Sequence, residues 1–342
     1  MTPKFKEIEN KKTEAKYPTK DVPVIDGYDY ITVTGARTRP WVVDKMQSWN
    51  PVSGHMLKAS WGNQYHFVNQ SIRQLQQFPK PDLTNYRVQR IHVVFSTGYS
   101  TNDRKRINEY TEKHQARIKY VENVDQLIAF LNERKSKNRL IKKLTVYSHG
   151  IIDFFSFHYG YGIVADETPG LLGKSQIPQI LEEVFDFDAV FESYACRTGI
   201  SVESEDFTAQ KGEAGQKNSL AQIMADAWLI EVKAYESRSD YTLTYGSKSE
   251  INKARNYQKT IKEYEKASNL YEAGKKNDKP IEPPDHQMWI IRMDDEILRN
   301  RNQGWWDDGP IMQYGAWHPV QGGTSPKGLK KGLQTYIPKD YQ

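Results

Sequence analysis

The chain has few of the features that define several large protein classes. It holds one cysteine, Cys196, so no internal disulfide can form and no zinc site can be built from thiolates alone. That thiol is therefore either packing or chemistry. No segment approaches 18 consecutive apolar residues, so no membrane-spanning helix is expected. The start, Met1-Thr2-Pro3-Lys4-Phe5-Lys6, lacks the apolar stretch of a signal peptide. Synthesis in the cytoplasm is expected, with export by a signal-independent system left open. Neither sign of charge is massed, since 48 basic and 43 acidic residues give a formal net charge of +5 and are mixed along the chain. Nucleic-acid binding is not indicated by that balance. No histidine pair has a metal-ligand spacing such as H-E-x-x-H, and neither a metal nor a cofactor is expected.

At 342 residues, 37% of them hydrophobic, the chain can bury a sizeable core without covalent staples. Two short apolar runs each end on a reactive side chain. Leu144-Thr145-Val146-Tyr147 runs into Ser148-His149-Gly150, and Ala189-Val190-Phe191 leads through Glu192-Ser193-Tyr194-Ala195 into Cys196-Arg197-Thr198-Gly199. Apolar runs of this length, rich in β-branched and aromatic residues and bounded by Gly and polar residues, read as buried strands. His149 and Cys196 would then both lie at strand C-terminal ends, the edge where open α/β sheets bind ligands.

The surrounding pattern divides the chain. Residues 1–22 read as a mobile tail, and 23–88 as an N-terminal extension with one strand at 28–34 and no assignable fold. From 89 to 245 the pattern is regular, with strands at 91–95 and 117–121 and a polar helix over 102–116. A further helix carries Val124, Leu127, Ile128 and Leu131, capped by Asn123 with Gln126 completing a capping box. The His149 strand spans 141–148, followed by an aromatic hairpin-like stretch around Phe154 to Gly162 and a helix near 176–185. After the Cys196 strand come a polar loop at 200–217, a helix with Leu220, Ile223, Met224 and Trp228, and a strand from Ile230 to Tyr235. Buried, non-alternating strands alternating with helices predict a parallel sheet covered on both faces. Residues 246–284 read as a helical insertion and linker, with Ser247 and Glu250 as its capping box and Gly274 as its stop. Residues 285–342, rich in Trp, Gly and Pro, are expected to wrap the core without regular structure.

A cysteine nucleophile needs a base and an oxyanion hole. His149 would serve as base and then as acid toward the leaving amine, Cys196 would attack, and the backbone N–H groups of Gly150 and Cys196 would face the oxyanion. Gly150 and Gly199 would relax the turns after the two reactive residues. The plain alternatives are a cysteine that fills space and a histidine that satisfies one hydrogen bond. Ser148 is a rival nucleophile, although Val146 replaces the first Gly of the Gly-x-Ser-x-Gly elbow. His158 reads as part of the aromatic hairpin and His92 as core; His286 and His318 have no assignment.

The motifs Val146-Tyr147-Ser148-His149-Gly150 and Ser193-Tyr194-Ala195-Cys196-Arg197-Thr198-Gly199 resemble those of the caspase-like cysteine peptidases, the group of caspases, metacaspases, legumain, clostripain and gingipains. The two reactive residues are 47 apart, against about 50 in the caspase signature. The resemblance covers 89–245 and is nearest to bacterial members, because Tyr194 and Gly199 depart from the Gln-Ala-Cys-x-Gly pentapeptide. It implies a His/Cys dyad cleaving peptide bonds through a thioester acyl-enzyme. It also implies an α/β fold, a three-layer α/β/α sandwich with a mostly parallel sheet, here with irregular N- and C-terminal extensions. The partner would be a protein or peptide substrate. The tail Gly315-Ala316-Trp317-His318-Pro319 with Gly322 to Leu329 resembles the tails of bacterial effector toxins, which implies an inhibitory immunity protein as a further partner. A non-catalytic interaction protein on the same scaffold is the alternative.

Two flanking segments complete the reading. Glu203, Glu205 and Asp206 form an acidic run that is solvated surface, a calcium site or an activation loop. If the strand ending at Tyr235 lies beside the nucleophile strand, Glu236 and Asp240 would bind substrate and favour a basic side chain before the scissile bond, whereas Arg238 would favour an acidic one.

Overall fold

The computed structural model describes residues 25–37, 65–81, 87–159, 170–208, 212–241, 244, 248–279 and 311–341. The proposed tail at 1–22, the Ser247 cap and His286 lie outside them.

Seven strands form the central sheet: β1 (Gly27–Thr34), β2 (Val88–Phe95), β3 (Ala116–Val121), β4 (Arg139–Tyr147), β5 (Phe185–Ser193), β6 (Glu231–Ala234) and β7 (Gln334–Tyr336). Their spatial order is β3-β2-β1-β4-β5-β6-β7. All neighbouring pairs are parallel except β6 and β7, which are antiparallel. The expected α/β class with a mostly parallel, helix-flanked sheet is what the chain forms. Helices α1 (His66–Gln77) and α2 (Thr101–Lys113) touch each other, with α1 over β1, β2 and β4. Helices α3 (Val124–Ser136) and α4 (Leu220–Trp228) instead meet through the short 3-10 turns before β5. Because parallel crossovers are right-handed, the β3-to-β4 and β5-to-β6 connections, which run opposite to β1-β2-β3, belong on the opposite face.

The segment expected to be an extension supplies an interior strand of the sheet. In β1, Ile31 and Val33 join the main core while Asp29, Thr32 and Thr34 are also buried. Buried polar groups need partners, and each of these has one. Asp29 takes Arg139 Nε at 2.7 Å and Arg134 Nη1 at 3.2 Å. Thr32 and Thr34 share Ser71 of α1 at 3.0 and 2.5 Å. His92 bridges Thr34 and Thr111, both at 2.8 Å.

Local signals decide where elements stop. Ser100 caps α2 in a capping box with Asp103, and α2 ends at Lys113, short of the expected 116, because Gln115 takes a left-handed φ of 56°. Asn123 caps α3 as expected, but Gln126 reaches the N–H of Glu122 and not that of Asn123, so the reciprocal half of the box is displaced by one residue. The long helix α5 (Lys248–Glu272) stops at Gly274, φ 68°, with Lys275 N–H bonded to Leu270 O and Gly274 N–H to Tyr271 O, a Schellman pair.

Two expectations are corrected. The helix near 176–185 is instead two 3-10 turns, Ile177–Gln179 and Glu182–Val184, because Pro178 cannot donate to a helical ladder. Ile177, Ile180 and Val184 are still buried, and Trp228 Nε1 donates to Ile177 O at 3.1 Å. Within the C-terminal segment, Gln334–Tyr336 forms β7 and Gln321–Gly322 pairs antiparallel with Ser239–Asp240, so part of it is regular structure that closes the sheet edge.

Two outcomes follow from the buried polar groups of β1. Asp29→Ala removes the carboxylate that two buried guanidinium groups share and is expected to lower stability by about 3–5 kcal/mol in urea unfolding. Burial depresses His92 to about 3. The unfolded histidine takes its proton near 6.5, so the stability it protects is intact above that pH and is lost as pH falls toward about 3. Denaturation measured between pH 7 and 4 is expected to show a shallower acid slope in His92→Asn than in wild type.

Candidate functional site

β1 and β4 are neighbours whose onward connections leave in opposite directions, β1 toward β2 and β4 toward β5. This is the switch point at which open α/β sheets form a ligand crevice beyond their strand C-termini. Its two edges are stitched by Gly35 N–H to Tyr147 O at 2.8 Å. β4 ends at Tyr147 and β5, its other neighbour, at Ser193.

After β4 the chain does not turn at once. His149–Ile151 forms a short ribbon with Phe154–Ser156, and Gly150 serves close approach and not the sharp turn expected of it. A Cβ on Gly150 would lie 2.8 Å from the backbone nitrogen of Cys196, closer still to its carbonyl oxygen, and 2.9 Å from Ala195 Cβ. The main chains of the two motifs are therefore in contact. After β5 the left-handed residue is Arg197, φ 56°, and not Gly199. Gly199 is small because Tyr336 of β7 closes on it, its hydroxyl donating to Gly199 O at 2.6 Å. The Cys196 turn is held by Arg197 N–H to Ser237 O at 3.0 Å, Gly199 N–H to Tyr235 O at 2.9 Å, and Ser193 Oγ against Thr198 Oγ1 at 2.8 Å. The Cys196 N–H itself meets no acceptor among the described residues.

His149 and Cys196 are both partly exposed, with the Nε2 atom of the His149 ring itself buried. Ser148 is 1% exposed and donates its hydroxyl proton to His149 O at 3.0 Å. The first turn of α1 roofs the histidine. The His149 ring stands edge-on to Phe67 at 4.9 Å and lies 6.3 Å from His66, whose own ring stacks on Tyr241 at 4.5 Å. Tyr147, Tyr194 and Tyr235 continue this aromatic surface. Burial, with the neighbouring Cys196 next, raises the Tyr241 phenol well above its ordinary range and keeps it neutral.

β6 pairs with β5 as expected, and the segment after it, 236–240, meets the Cys196 thiol through Ser239. Ser239 N–H donates to Cys196 Sγ at 3.2 Å, and Ser239 Oγ is 3.1 Å from the same sulfur. Glu236 is buried, accepts from Gln216 Nε2 at 3.2 Å and stands beside Tyr336. Asp240 sits in the ribbon opposite Gln321. Neither carboxylate hydrogen-bonds the sulfur.

The acidic run is ion-paired on both sides of the cysteine. Glu203 takes Arg197 Nη1 at 2.6 Å, and Glu205 takes both terminal nitrogens of Arg238, which hold its carboxyl down at about 2. The loop carrying it is anchored more firmly than its polar composition implies. Ile200, Phe207 and Ala214 are buried together against Ile152 and Leu329, and Phe207 N–H donates to Lys327 O at 3.1 Å. His158, expected within the aromatic hairpin, instead follows it, pairing in parallel with Ala36, with Nε2 3.0 Å from Glu122 O and its ring against Phe95.

The sequence of the chain matches no known family and no curated protein. The resemblance drawn from the two motifs therefore rests on those motifs alone.

Sequence reasoning missed His66, Phe67, Tyr241 and Ser239. The first three sit where periodicity is weak. Ser239 could have been suspected only from its position five residues beyond a strand that borders the nucleophile strand. Gly150→Ala tests the backbone contact: because the new methyl would meet main-chain atoms that cannot rotate away, it is expected to cost about 1–3 kcal/mol in thermal unfolding.

Proposed function

We propose that this chain is a cysteine endopeptidase whose catalytic pair is His149 and Cys196. The observation that carries the proposal is the contact between the Gly150 and Cys196 main chains. It joins two strand-end motifs, 47 residues apart in sequence, at one edge of a parallel sheet beside its switch point.

In the reaction, His149 takes the thiol proton and Cys196 Sγ attacks the carbonyl carbon of a peptide bond. The negative charge that develops on the carbonyl oxygen would be taken by Cys196 N–H, with Gly150 N–H as second donor. Collapse breaks the C–N bond, the protonated His149 gives its proton to the departing amine, and a thioester remains. Water, deprotonated by His149, then attacks the thioester and releases the acid and the thiol. In the resting arrangement both hydrogen bonds of the sulfur go to Ser239. Catalytic contacts that tighten only when substrate is bound are usual for such sites. The serine alternative is disfavoured by the burial of Ser148 and the use of its hydroxyl on His149 O.

Assay against a peptide library is expected to show cleavage by wild type and a loss of at least about a thousandfold in both Cys196→Ala and His149→Ala, because the two act as a unit. Ser148→Ala retains most of the activity. An active Cys196→Ala variant overturns the proposal. A folded wild type that cleaves nothing and whose thiol resists iodoacetamide at pH 7 returns the chain to the non-catalytic reading.

A further inference from the structure

The strand-end segment 237–239 is held more tightly than its exposure requires. From the cysteine turn, Arg197 N–H bonds Ser237 O at 3.0 Å. From the C-terminal segment, Ser325 O accepts Arg238 N–H and Gly323 N–H donates to Arg238 O, both at 2.7 Å. From the acidic loop, Glu205 takes the Arg238 guanidinium in a two-pronged contact, and both it and the guanidinium also reach the Ser325 hydroxyl. Ser239 pairs with Gly322 in the short ribbon. Three separate parts of the chain thus converge on the tripeptide Ser237-Arg238-Ser239. What that tripeptide presents is a backbone N–H and a hydroxyl, both on Cys196 Sγ.

We propose that Ser239 is the positioning residue of the nucleophile, fixing the direction of the Cys196 sulfur and supplying two hydrogen-bond donors to the thiolate that attacks. The inference deepens the dyad reading and rests on it. A sulfur anion is a diffuse acceptor, and donors aimed at it from a rigid frame stabilise it without reorganisation. When His149 removes the thiol proton, Ser239 O–H can turn toward sulfur and the N–H is already in place. The clamp on Arg238 explains why the frame is rigid. Glu205 and Ser325 do not touch the sulfur, but they hold the residue before the one that does.

The test is the pH profile of Cys196 alkylation by iodoacetamide in the full-length chain, a readout independent of any peptide substrate. In Ser239→Ala the rate at pH 7 is expected to fall about tenfold relative to wild type, with the rate at pH 9.5 unchanged within about twofold, since the lost donor matters only where the thiolate is the minority form. Ser239→Thr, which keeps the hydroxyl, restores the pH 7 rate. The ultraviolet thiolate absorbance, taken as the difference from Cys196→Ala, should move with the same variants. Equal losses at both pH values, an unchanged profile in Ser239→Ala, or failure of Ser239→Thr to rescue overturns the role of Ser239 while leaving the dyad in place if wild type still cleaves peptides. A wild-type thiol that is inert at pH 7 overturns both readings.

Discussion

The buried carboxylate of Asp29 constrains the whole architecture. It lies on an interior strand, flanked on both sides by parallel neighbours, where an unpaired charge could not be tolerated. Arg139 at the start of β4 and Arg134 on α3 meet it there, tying the lower ends of two neighbouring strands to the helix that connects β3 to β4. A slip of one residue would turn Asp29, Thr32 and Thr34 away from their partners and expose Ile31 and Val33 to the wrong face. The register of β1 against β4 is thereby set at the end of the sheet opposite the candidate site. The Gly35 to Tyr147 bond continues the same register to the upper edge.

That upper edge works because parallel strands end together. β4 and β5 deliver His149 and Cys196 to the same rim, and the small residue at 150 lets their main chains touch. Everything else around the thiol comes from elsewhere in the chain: the aromatic roof from the first turn of α1, the arginine pairings from the loop after the cysteine, and the Ser239 anchor from the strand beyond. The C-terminal segment supplies both β7, whose Tyr336 closes on Gly199, and the Gly322 to Ser325 stretch that pins Arg238. A site assembled from so many parts exists only when the entire sheet, including its antiparallel edge, is formed.

The charges near the cysteine cancel locally. Arg197 and Arg238 would leave two cations beside Cys196, but Glu203 and Glu205 neutralise them in exposed pairs whose strength will fall with added salt. Their value lies in geometry more than in energy, because the main chains carry the firmer contacts, Arg197 N–H to Ser237 O and Arg238 to Gly323 and Ser325.

Much of the sheet was legible in the chain itself. The runs at 91–95 and 144–147 are buried on both faces, which leaves continuous apolar and β-branched sequence that needs no knowledge of neighbours, and those at 28–34 and 189–193 are at least half-buried throughout. The capping of α3 by Asn123, the stop of α5 at Gly274 and the strand-end positions of His149 and Cys196 are likewise local, because backbone hydrogen bonding and the φ of glycine act within a few residues. Tertiary structure decided the rest. Nothing local marks β1 as an interior strand of the sheet, His66 and Phe67 as the roof over His149, or the polar loop after Cys196 as anchored by Phe207. Ser239 became the partner of the thiol only through a strand end paired across space. Those outcomes depend on strand order and register, which arise from long-range burial and pairing and leave no period in the sequence.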